Sequence, residues 1–314
     1  MKKLETFFGK NSEQIVPRFF NFSKFFPILN LQIFCENIFV EKFELRAPAK
    51  INLNLKVGEK RGDFHFLKTK MEKVFLADGI IVSILPAAGA RKIALKIGGS
   101  QKKGVPANSQ NLLFRAVENF CREFKIRNSF EIILKKEIPH RAGLGGGSSD
   151  AGTILKFLRE KFDAPRDRVR EVARELGSDV PFFLENFSAA ESLQPTGKIS
   201  PVEKSGKLIA IALLPRIRIS TKWAFEKWEK LPAAEKKQKT AANDFEKIAF
   251  RFFPDLQNLK NDFLKFGADF AGLSGTGAAI FAQFPDREKL GFAREKIEKN
   301  CDFFVADQLL SPRN

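Results

Sequence analysis

The sequence predicts an α+β protein made of two domains. Segments with strand periodicity and segments with helix periodicity are mixed along the chain, two glycine-rich turns adjoin regular elements, and the composition changes between Gln194 and Gly206. A length of 314 residues suits two modest domains better than one large domain. We therefore predict an N-terminal extension over 1–42, a first domain over 43–200 and a second domain over 201–310.

The composition narrows the classes of function. A formal net charge of +17 favours anionic partners such as nucleotides, phosphorylated metabolites, nucleic acid or acidic lipid. Cys35, Cys121 and Cys301 are widely separated and form no C-x-x-C pair, which argues against a disulfide framework and against a zinc site. This cysteine usage suits a reducing cytoplasm. No apolar run in the sequence is as long as a membrane span, so we expect no membrane partner.

The predicted extension is rich in phenylalanine pairs and keeps neither helix nor strand periodicity for long. We interpret it as an appendage that is disordered or that carries one short docking strand near Ile33–Val40. Three acidic residues, Glu5, Glu13 and Glu36, argue against a targeting segment.

The first domain begins with a strand that has one polar face. The stretch ELRAPAKINLNLKV alternates polar and apolar residues from Lys50 onwards, as a half-buried strand does. The apolar face carries Ile51, Leu53, Leu55 and Val57, and the polar face carries Lys50, Asn52, Asn54 and Lys56. We therefore expect Lys50 and Asn52 to lie side by side and to point the same way.

The remaining elements follow from periodicity and from helix-ending signals. Strands are predicted at GDFHF, GIIVSILP, RKIALKIGG and SFEIILKK, and an amphipathic helix over 108–124. Two further helices follow at SDAGTILKFLREKF and RDRVREVAREL, the second ending at Gly177. The second domain is predicted to contain a strand at KLIAIALL, helices near 221–230, 243–250 and 255–266, a glycine-rich turn into a strand at LSGTGAAIFAQF, a helix at DREKLGFAREKIEKN and a last strand at CDFFVADQL.

The stretch IPHRAGLGGGSSDAG, from Ile138 to Gly152, lies between a predicted strand and a predicted helix. Glycines let ligand atoms approach backbone N–H groups, and the first turn of a helix presents unpaired N–H groups with a partial positive charge. Together these features form a cradle suited to phosphates. A P-loop would end in G-K-[ST], but Gly147-Ser148-Ser149 stands there. A dinucleotide-binding fold would continue with a parallel β-α series, which the pattern does not show.

The stretch PHRAGLGGGSSDAG resembles the phosphate-binding loop of the GHMP kinases. The blocks APAKINLNLKV, GDFHFLKT, NLLFRA, LGSDVPFFL, NDFE and LSGTGAAIFA resemble further blocks of one branch of this family, in the same order over about 43–308. The resemblance implies a two-domain GHMP-kinase fold, with an N-terminal ribosomal-protein-like α/β domain that binds ATP and a C-terminal ferredoxin-like α+β domain. It also implies phosphorylation of the 2-hydroxyl of a cytidine diphosphate-linked methylerythritol, a step towards isopentenyl diphosphate.

The resemblance implies that Lys50 and Asp179 are catalytic. Asp179 would accept or orient the proton of the substrate hydroxyl, and Lys50 would stabilise the ionised carboxylate and the charge on the transferring phosphoryl group. Without the resemblance, Lys50 would be interpreted as a charge at a strand edge, and Asp179 as the N-cap of a helix before Pro181.

The ATP-binding residues that the resemblance implies lie mainly in the glycine stretch. They are Pro139, Ala142, Gly143, Leu144, Gly145, Gly146, Gly147, Ser148 and Ser149. Asn111 and Lys136 match family positions near the adenine and the ribose. Mg²⁺ is implied because ATP-dependent kinases need it, although the sequence does not identify its ligands. The turn Ser274-Gly275-Thr276-Gly277 resembles a motif that packs against the phosphate loop.

The substrate-binding residues that the resemblance implies are Asn52, Phe64, His65, Thr221 and Phe225. The aromatic rings of Phe64 and Phe225 would stack on cytosine, and His65 would read its edge as a neutral imidazole. Asn52 would contact the erythritol part. Structural roles are open for three of these residues: a core histidine for His65, core packing for Phe225 and a helix N-cap for Thr221.

Three residues depart from the family pattern. His140 and Arg141 add bulk and charge at the mouth of the glycine stretch, and Lys198 reverses a charge in SLQPTGKISPV. Two other functions stay open: another small-molecule GHMP kinase, acting on mevalonate, homoserine or a sugar, and a basic nucleic-acid-binding protein. We expect small-molecule partners and no nucleic acid, and the sequence leaves the oligomeric state open.

Overall fold

A computed structural model of the chain describes residues 30–35, 38–62, 64–86, 89–194, 196–238 and 242–305. Most of the predicted extension lies outside these residues. Within it, Asn30–Cys35 forms a strand that pairs antiparallel with the start of the next strand, with Cys35 in register with Ile38. The domain boundaries at 42 and 200 stay predictions, and the boundary at 310 lies outside the described residues.

Within the described residues, the first part of the chain contains two long strands, five shorter strands and four helices. They are β1 (Asn30–Cys35), β2 (Ile38–Arg61), β3 (Phe64–Leu85), β4 (Ile93–Gly98), α1 (Leu112–Glu123), β5 (Ser129–Lys135), α2 (Gly146–Lys161), α3 (Arg166–Leu176), α4 (Val180–Leu184), β6 (Ala189–Gln194) and β7 (Lys198–Pro201).

The second part contains shorter strands and the remaining helices of the described residues. Its elements are β8 (Leu208–Leu213), α5 (Thr221–Glu229), α6 (Ala233–Lys237), α7 (Glu246–Phe252), α8 (Pro254–Lys265), β9 (Phe270–Leu273), β10 (Ile280–Phe284), α9 (Arg287–Ile297) and β11 (Asp302–Val305). No helix in the described residues is both long enough and apolar enough to cross a lipid bilayer.

The first sheet is organised around the long hairpin of β2 and β3. Within the described residues its strand order is β1-β2-β3-β5-β4, and β6 and β7 extend it beside the first part of β3. Helices α1, α2 and α3 cover it through a common core that includes Phe120 of α1, Leu155 of α2 and Ile132 of β5. The apolar stripe predicted for α1 is this buried face, since Leu113 and Val117 are buried there too.

The second sheet has the antiparallel strand order β11-β8-β10-β9 within the described residues. Helices α5 to α8 connect β8 to β9, and α9 connects β10 to β11, which is the ferredoxin-like arrangement. Phe263 of α8, Phe284 of β10 and Ala293 of α9 belong to one core. The predicted α+β fold class is therefore confirmed.

The two sheets meet in an apolar layer, which we call the interdomain seam. It contains Ala49 and Ile51 of β2, Ile209 and Ile211 of β8, and Phe281 of β10. Because successive residues of a strand point to opposite faces, burying Ile51 in this seam directs its neighbours to the other face.

Strand β2 contains bulges on both sides of the Lys50–Asn52 segment, between Pro48 and Lys50 and between Asn52 and Asn54. A bulge inserts an extra residue and so exchanges the two faces of the strand beyond it. The prediction that Lys50, Asn52, Asn54 and Lys56 share one face is therefore wrong beyond Asn52. There Leu55 reaches the cleft wall, while the Asn54 side chain accepts a hydrogen bond from Lys70 N at 2.7 Å.

The glycine stretch connects β5 to α2, and two of its glycines have left-handed backbone angles. Gly143 has a φ of 76°, and a Cβ atom there would overlap the carbonyl oxygen of Ser274. Gly145 has a φ of 70°, and a Cβ atom there would lie 3.0 Å from Cε of Lys50. Glycine is therefore required at both positions for the loop to approach β2 and the second domain.

A buried ion cluster, formed by Asp78, Lys136 and Asp150, fixes the start of the glycine stretch. Nζ of Lys136 donates to Oδ2 of Asp78 and, at 2.7 Å, to Oδ2 of Asp150. The other Asp78 oxygen accepts the backbone N–H groups of Glu137 and Ile138 at 2.6 and 2.9 Å. One ammonium balances only one of the two carboxylates. Burial, aided by Asp78, therefore raises the pKa of Asp150 to about 8, although Lys136 opposes the shift.

Replacing Asp150 by asparagine should flatten the pH dependence of stability. Since the pKa of Asp150 is raised from 3.8 to about 8, folding favours its protonated form, and its contribution to stability is lost as the pH rises through this range. Asparagine does not ionise, so the variant should lose several degrees less in Tm than the wild type between about pH 5 and pH 8. Thermal unfolding followed by circular dichroism measures this, and equal pH slopes for the two proteins would contradict it.

Candidate active site

A cleft with a volume of about 480 Å³ lies between the two domains, and we call it the phosphate cleft. Its walls are the glycine stretch, the middle of β2, the starts of α4 and α5, the end of β6 and the turn at Gly275 and Thr276. A second cavity of about 600 Å³, the side cavity, adjoins it. Both cavities share the wall residues Leu67, Ser178, Gln194 and Phe225.

Lys50 lies between the two bulges of β2, and its side chain is only 4% exposed. Its Nζ donates to the carbonyl oxygen of Gly143 at 2.9 Å and to Oδ1 of Asn52. Oδ2 of Asp179 lies 3.6 Å from the same nitrogen. Burial lowers the pKa of Lys50, and Asp179 partly offsets the shift. The two residues that the resemblance implies to be catalytic are thus side by side.

Asp179 directly precedes α4, whose first turn contains Pro181. Its carboxylate does not cap the helix. Instead, Oδ1 accepts a hydrogen bond of 2.9 Å from Nε2 of Gln194. The Asp179 side chain is 27% exposed, so the carboxylate can meet a ligand in the cleft while Lys50 lies buried behind it.

Asn52 lines the phosphate cleft, but both ends of its amide are engaged within the protein. Oδ1 accepts from Lys50, and Nδ2 donates to the hydroxyl of Thr69 at 2.8 Å. Thr69 in turn donates to the carbonyl oxygen of Asn54 at 2.6 Å. The amide therefore orients Lys50, whereas the predicted contact with the erythritol part stays a prediction.

The carbonyl groups in the middle of the glycine stretch are held from within the protein. These hydrogen bonds, all 3.0 Å long, join Ala142 O to Ala279 N, Gly143 O to Ser274 Oγ, and Leu144 O to Lys50 N. The backbone N–H groups from Gly143 to Ser148, by contrast, meet no protein acceptor in the described part of the chain. Helix α2 begins at Gly146, so several of these groups form its positive end. The arrangement suits a polyphosphate.

The predicted phosphate contacts are not all equally placed. All of the predicted phosphate contacts except Ser149 line the phosphate cleft. Ser149 is fully buried, and its hydroxyl donates to the carbonyl oxygen of Pro48 at 2.6 Å, so it anchors α2 to β2.

The side chains of the two residues predicted near adenine and ribose are already engaged by other groups of the protein. Asn111 is the N-cap of α1: its Oδ1 accepts from Leu113 N at 2.9 Å and its Nδ2 donates to Pro106 O at 2.8 Å. Lys136 lines the phosphate cleft, but its ammonium belongs to the buried ion cluster. Their contacts with ATP stay predictions.

The side cavity brings together two of the predicted substrate residues. The rings of His65 and Phe225 lie 5.4 Å apart, and Phe225 packs edge-on against Phe245 at 4.9 Å. Burial lowers the pKa of His65, and Glu229 only partly opposes this shift, so the imidazole is neutral at neutral pH. The side chain of Phe64 lies outside the described residues, and its stacking role stays a prediction.

Thr221 lines the phosphate cleft as the first residue of α5. The prediction that it caps this helix is wrong. Ser220 is the N-cap: it has the extended backbone that a cap requires, and its hydroxyl accepts from Trp223 N at 3.2 Å.

The residues that depart from the family pattern differ in position. His140 and Arg141 both line the phosphate cleft, and burial together with Arg141 lowers the pKa of His140. Lys198 is exposed in β7, away from the described walls of both cavities.

Three residues that build the site were not singled out from the sequence. Thr69 holds Asn52, and Gln194 holds Asp179. Asn243 fixes the turn of the second domain by donating from Nδ2 to the carbonyl oxygens of Leu273 and Gly275, both at 2.7 Å. Two of them had a signal, since Thr69 ends the block GDFHFLKT and Asn243 begins the block NDFE.

The chain matches two family models. Residues 111–186 match the model described as GHMP kinases N terminal domain, and residues 229–302 match GHMP kinases C terminal. Similar proteins include the 4-diphosphocytidyl-2-C-methyl-D-erythritol kinase of Geotalea daltonii, 30% identical over 85% of this chain and 98% of that protein. The enzyme of the same name from Desulfotalea psychrophila is 32% identical over 83% of this chain and 90% of that protein.

A solved structure shows the same similarity. The crystal structure of a 4-(cytidine 5′-diphospho)-2C-methyl-D-erythritol kinase superposes with a TM-score of 0.69 at 28% identity, covering 84% of this chain and 98% of that chain. Sequence similarity over nearly the full length of these relatives, both halves of the fold and the order of the motifs all agree. The chain therefore belongs to the GHMP kinases, in the family of the 4-diphosphocytidyl-2-C-methyl-D-erythritol kinases.

Proposed function

We propose that this chain is an ATP-dependent kinase that phosphorylates the 2-hydroxyl of 4-diphosphocytidyl-2-C-methyl-D-erythritol, on the route to isopentenyl diphosphate. One observation carries the proposal: Lys50 and Asp179 lie 3.6 Å apart on the wall of a cleft that also presents unpaired backbone N–H groups. The names of the similar proteins support the choice of substrate.

Asp179 is the group that receives the proton of the substrate hydroxyl. The hydroxyl oxygen forms a bond to the γ-phosphorus of ATP, the bond from phosphorus to the β–γ bridging oxygen breaks, and ADP leaves. The transition state of phosphoryl transfer is loose, so positioning and charge balance matter more than a strong base. Lys50 supplies a buried positive charge, fixed in place by Asn52 and Gly143, towards which the transferring group can move.

ATP would lie with its phosphates along the N–H groups from Gly143 to Ser148. Magnesium bound to the nucleotide would be held mainly by the phosphates, since no group of three or more His, Cys, Asp or Glu side chains within the described residues could hold a metal. Of the two predicted serines, Ser148 lines the cleft, whereas the hydroxyl of Ser149 is engaged with Pro48. Ser148 therefore fits a contact with nucleotide-bound magnesium.

The side cavity would take the cytidine diphosphate part of the substrate. Phe225 offers a flat ring for stacking, and the neutral imidazole of His65 offers one donor and one acceptor to the cytosine edge. The shared wall of the two cavities lets one extended ligand reach from the nucleoside site to Asp179. A cytoplasmic location and small-molecule partners without nucleic acid are part of the same proposal.

Replacing Asp179 by asparagine should reduce kcat by about 10²- to 10⁴-fold, because the hydroxyl proton then loses its acceptor. A coupled assay for ADP formation with the methylerythritol substrate measures this. Asp269→Asn is a suitable control, because Asp269 forms an exposed pair with Lys207 at 2.9 Å and should leave kcat unchanged. Full activity of the Asp179 variant would remove this residue from the mechanism.

Replacing Phe225 by alanine should weaken binding of cytidine diphosphate about 10-fold or more, because stacking on the base is lost. Titration calorimetry measures the Kd, and Phe292→Ala provides a control at a ring that is 49% exposed on α9. Equal affinities for the wild type and the Phe225 variant would contradict the stacking role. If cytidine diphosphate does not bind the wild type, another small-molecule substrate is favoured instead.

A further inference from the structure

We propose that Gln194 is a positioning residue for phosphoryl transfer, which holds the Asp179 carboxylate in its reactive orientation from the wall between the phosphate cleft and the side cavity. The inference rests on the proposed function, because it assumes that Asp179 receives the hydroxyl proton.

The Asp179 carboxylate is held at both oxygens by side chains from different strands. Nε2 of Gln194 donates to Oδ1 at 2.9 Å, and Nζ of Lys50 lies 3.6 Å from Oδ2. The terminal torsion of an aspartate is broad, so a carboxylate without such partners would sample many orientations. Rotation about this torsion now breaks both contacts at once, which leaves one orientation favoured.

Within the described residues, no backbone group orients the Asp179 carboxylate. Asp179 stands at the N-cap position of α4, yet its side chain makes no capping hydrogen bond. In the described part of the chain, the contacts that orient the carboxylate are therefore those from Gln194 and Lys50. Lys50 also donates to Gly143 and Asn52, so its hydrogens are divided among several acceptors. Gln194 provides the direct hydrogen bond to Asp179.

Gln194 is well placed to hold a fixed geometry. It is the last residue of β6, its backbone is in register with Leu67 of β3, and the residue is only 7% exposed. A side chain that starts from a paired strand and is packed on most sides loses little further freedom when it binds a partner. Since Gln194 lines both cavities, a substrate that spans them must pass beside it.

The surroundings determine how the contact can be tested. The charged groups that line the two cavities beside Asp179 are Lys50, Lys136 and Arg141 on the phosphate cleft, and Arg174, Glu175 and Glu229 on the side cavity. The imidazoles of His140 and His65 line the phosphate cleft and the side cavity respectively. Gln194 is uncharged, so replacing it by a residue of similar length and no charge removes the donor and leaves these groups unchanged. Methionine meets both conditions.

Gln194→Met should lower kcat about 10- to 100-fold, the usual effect of losing one hydrogen bond to a charged group. The loss should fall on kcat and not on nucleotide binding, because Gln194 contacts the Asp179 carboxylate. The KM for ATP should stay within about twofold. Gln257→Met, on the exposed face of α8, is the matched control and should change none of these values.

A double-mutant cycle separates positioning from a general effect on the fold. If Gln194 acts through Asp179, then Gln194→Met should cost little further activity in an Asp179→Asn background. An equal loss in both backgrounds, or an unchanged kcat in the single variant, would overturn the inference. Should Gln194→Met fail to fold, Gln194→Glu keeps the size of the side chain, and its negative charge should lower kcat at least as strongly. Wild-type kcat in the Glu variant would also overturn the inference.

The outcomes distinguish this inference from the proposed function. A wild-type enzyme that does not phosphorylate the methylerythritol substrate contradicts the function itself. An active wild type with an inactive Asp179→Asn variant, combined with wild-type behaviour of Gln194→Met, contradicts only the role of Gln194.

Discussion

The carbonyl group of Gly143 is the point on which the whole site depends. It accepts hydrogen bonds from Nζ of Lys50 and from Oγ of Ser274, and so joins the glycine stretch to the first sheet and to the second domain. Turning this carbonyl inward requires a left-handed backbone and a residue without a Cβ atom. The same conformation leaves the following N–H groups without acceptors among the described residues, so the proposed phosphate cradle and the position of the Lys50 ammonium arise from one backbone geometry.

Charge contributes to this site in a local way. The formal net charge of +17 favours anionic ligands in general, but the glycine stretch contributes backbone dipoles to the wall of the phosphate cleft. Lys50 is committed to Asp179, Asn52 and Gly143, and Lys136 is balanced by two buried carboxylates. Under the proposed function, the oriented N–H groups would fix the pose of the polyphosphate, and the exposed Arg141 would add a more mobile charge.

Much of the fold and the centre of the site could be predicted from the sequence. Period-two alternation placed Lys50 beside Asn52, and clustered glycines before a helix indicated the loop that lines the cleft, because both signals are local. Its binding of phosphate stays a prediction. The bulge after Asn52 could not be predicted from the sequence, since it depends on how β2 pairs with β3. The inward roles of Ser149 and Asn111, and the contact between Gln194 and Asp179, join residues that only the folded chain brings together. A motif gives residue types at their spacing, but not which polar atoms are already occupied.

The interdomain seam has a mechanical consequence. Ile51 packs between the sheets while its two neighbours, Lys50 and Asn52, line the phosphate cleft. A hinge motion between the domains would have to remove the Ile51 side chain from a fully buried layer. It would also displace the ammonium of Lys50. Closely packed interiors resist such shear. The two halves should thus move as one rigid block, and any closing over a nucleotide falls to the rim of the cleft.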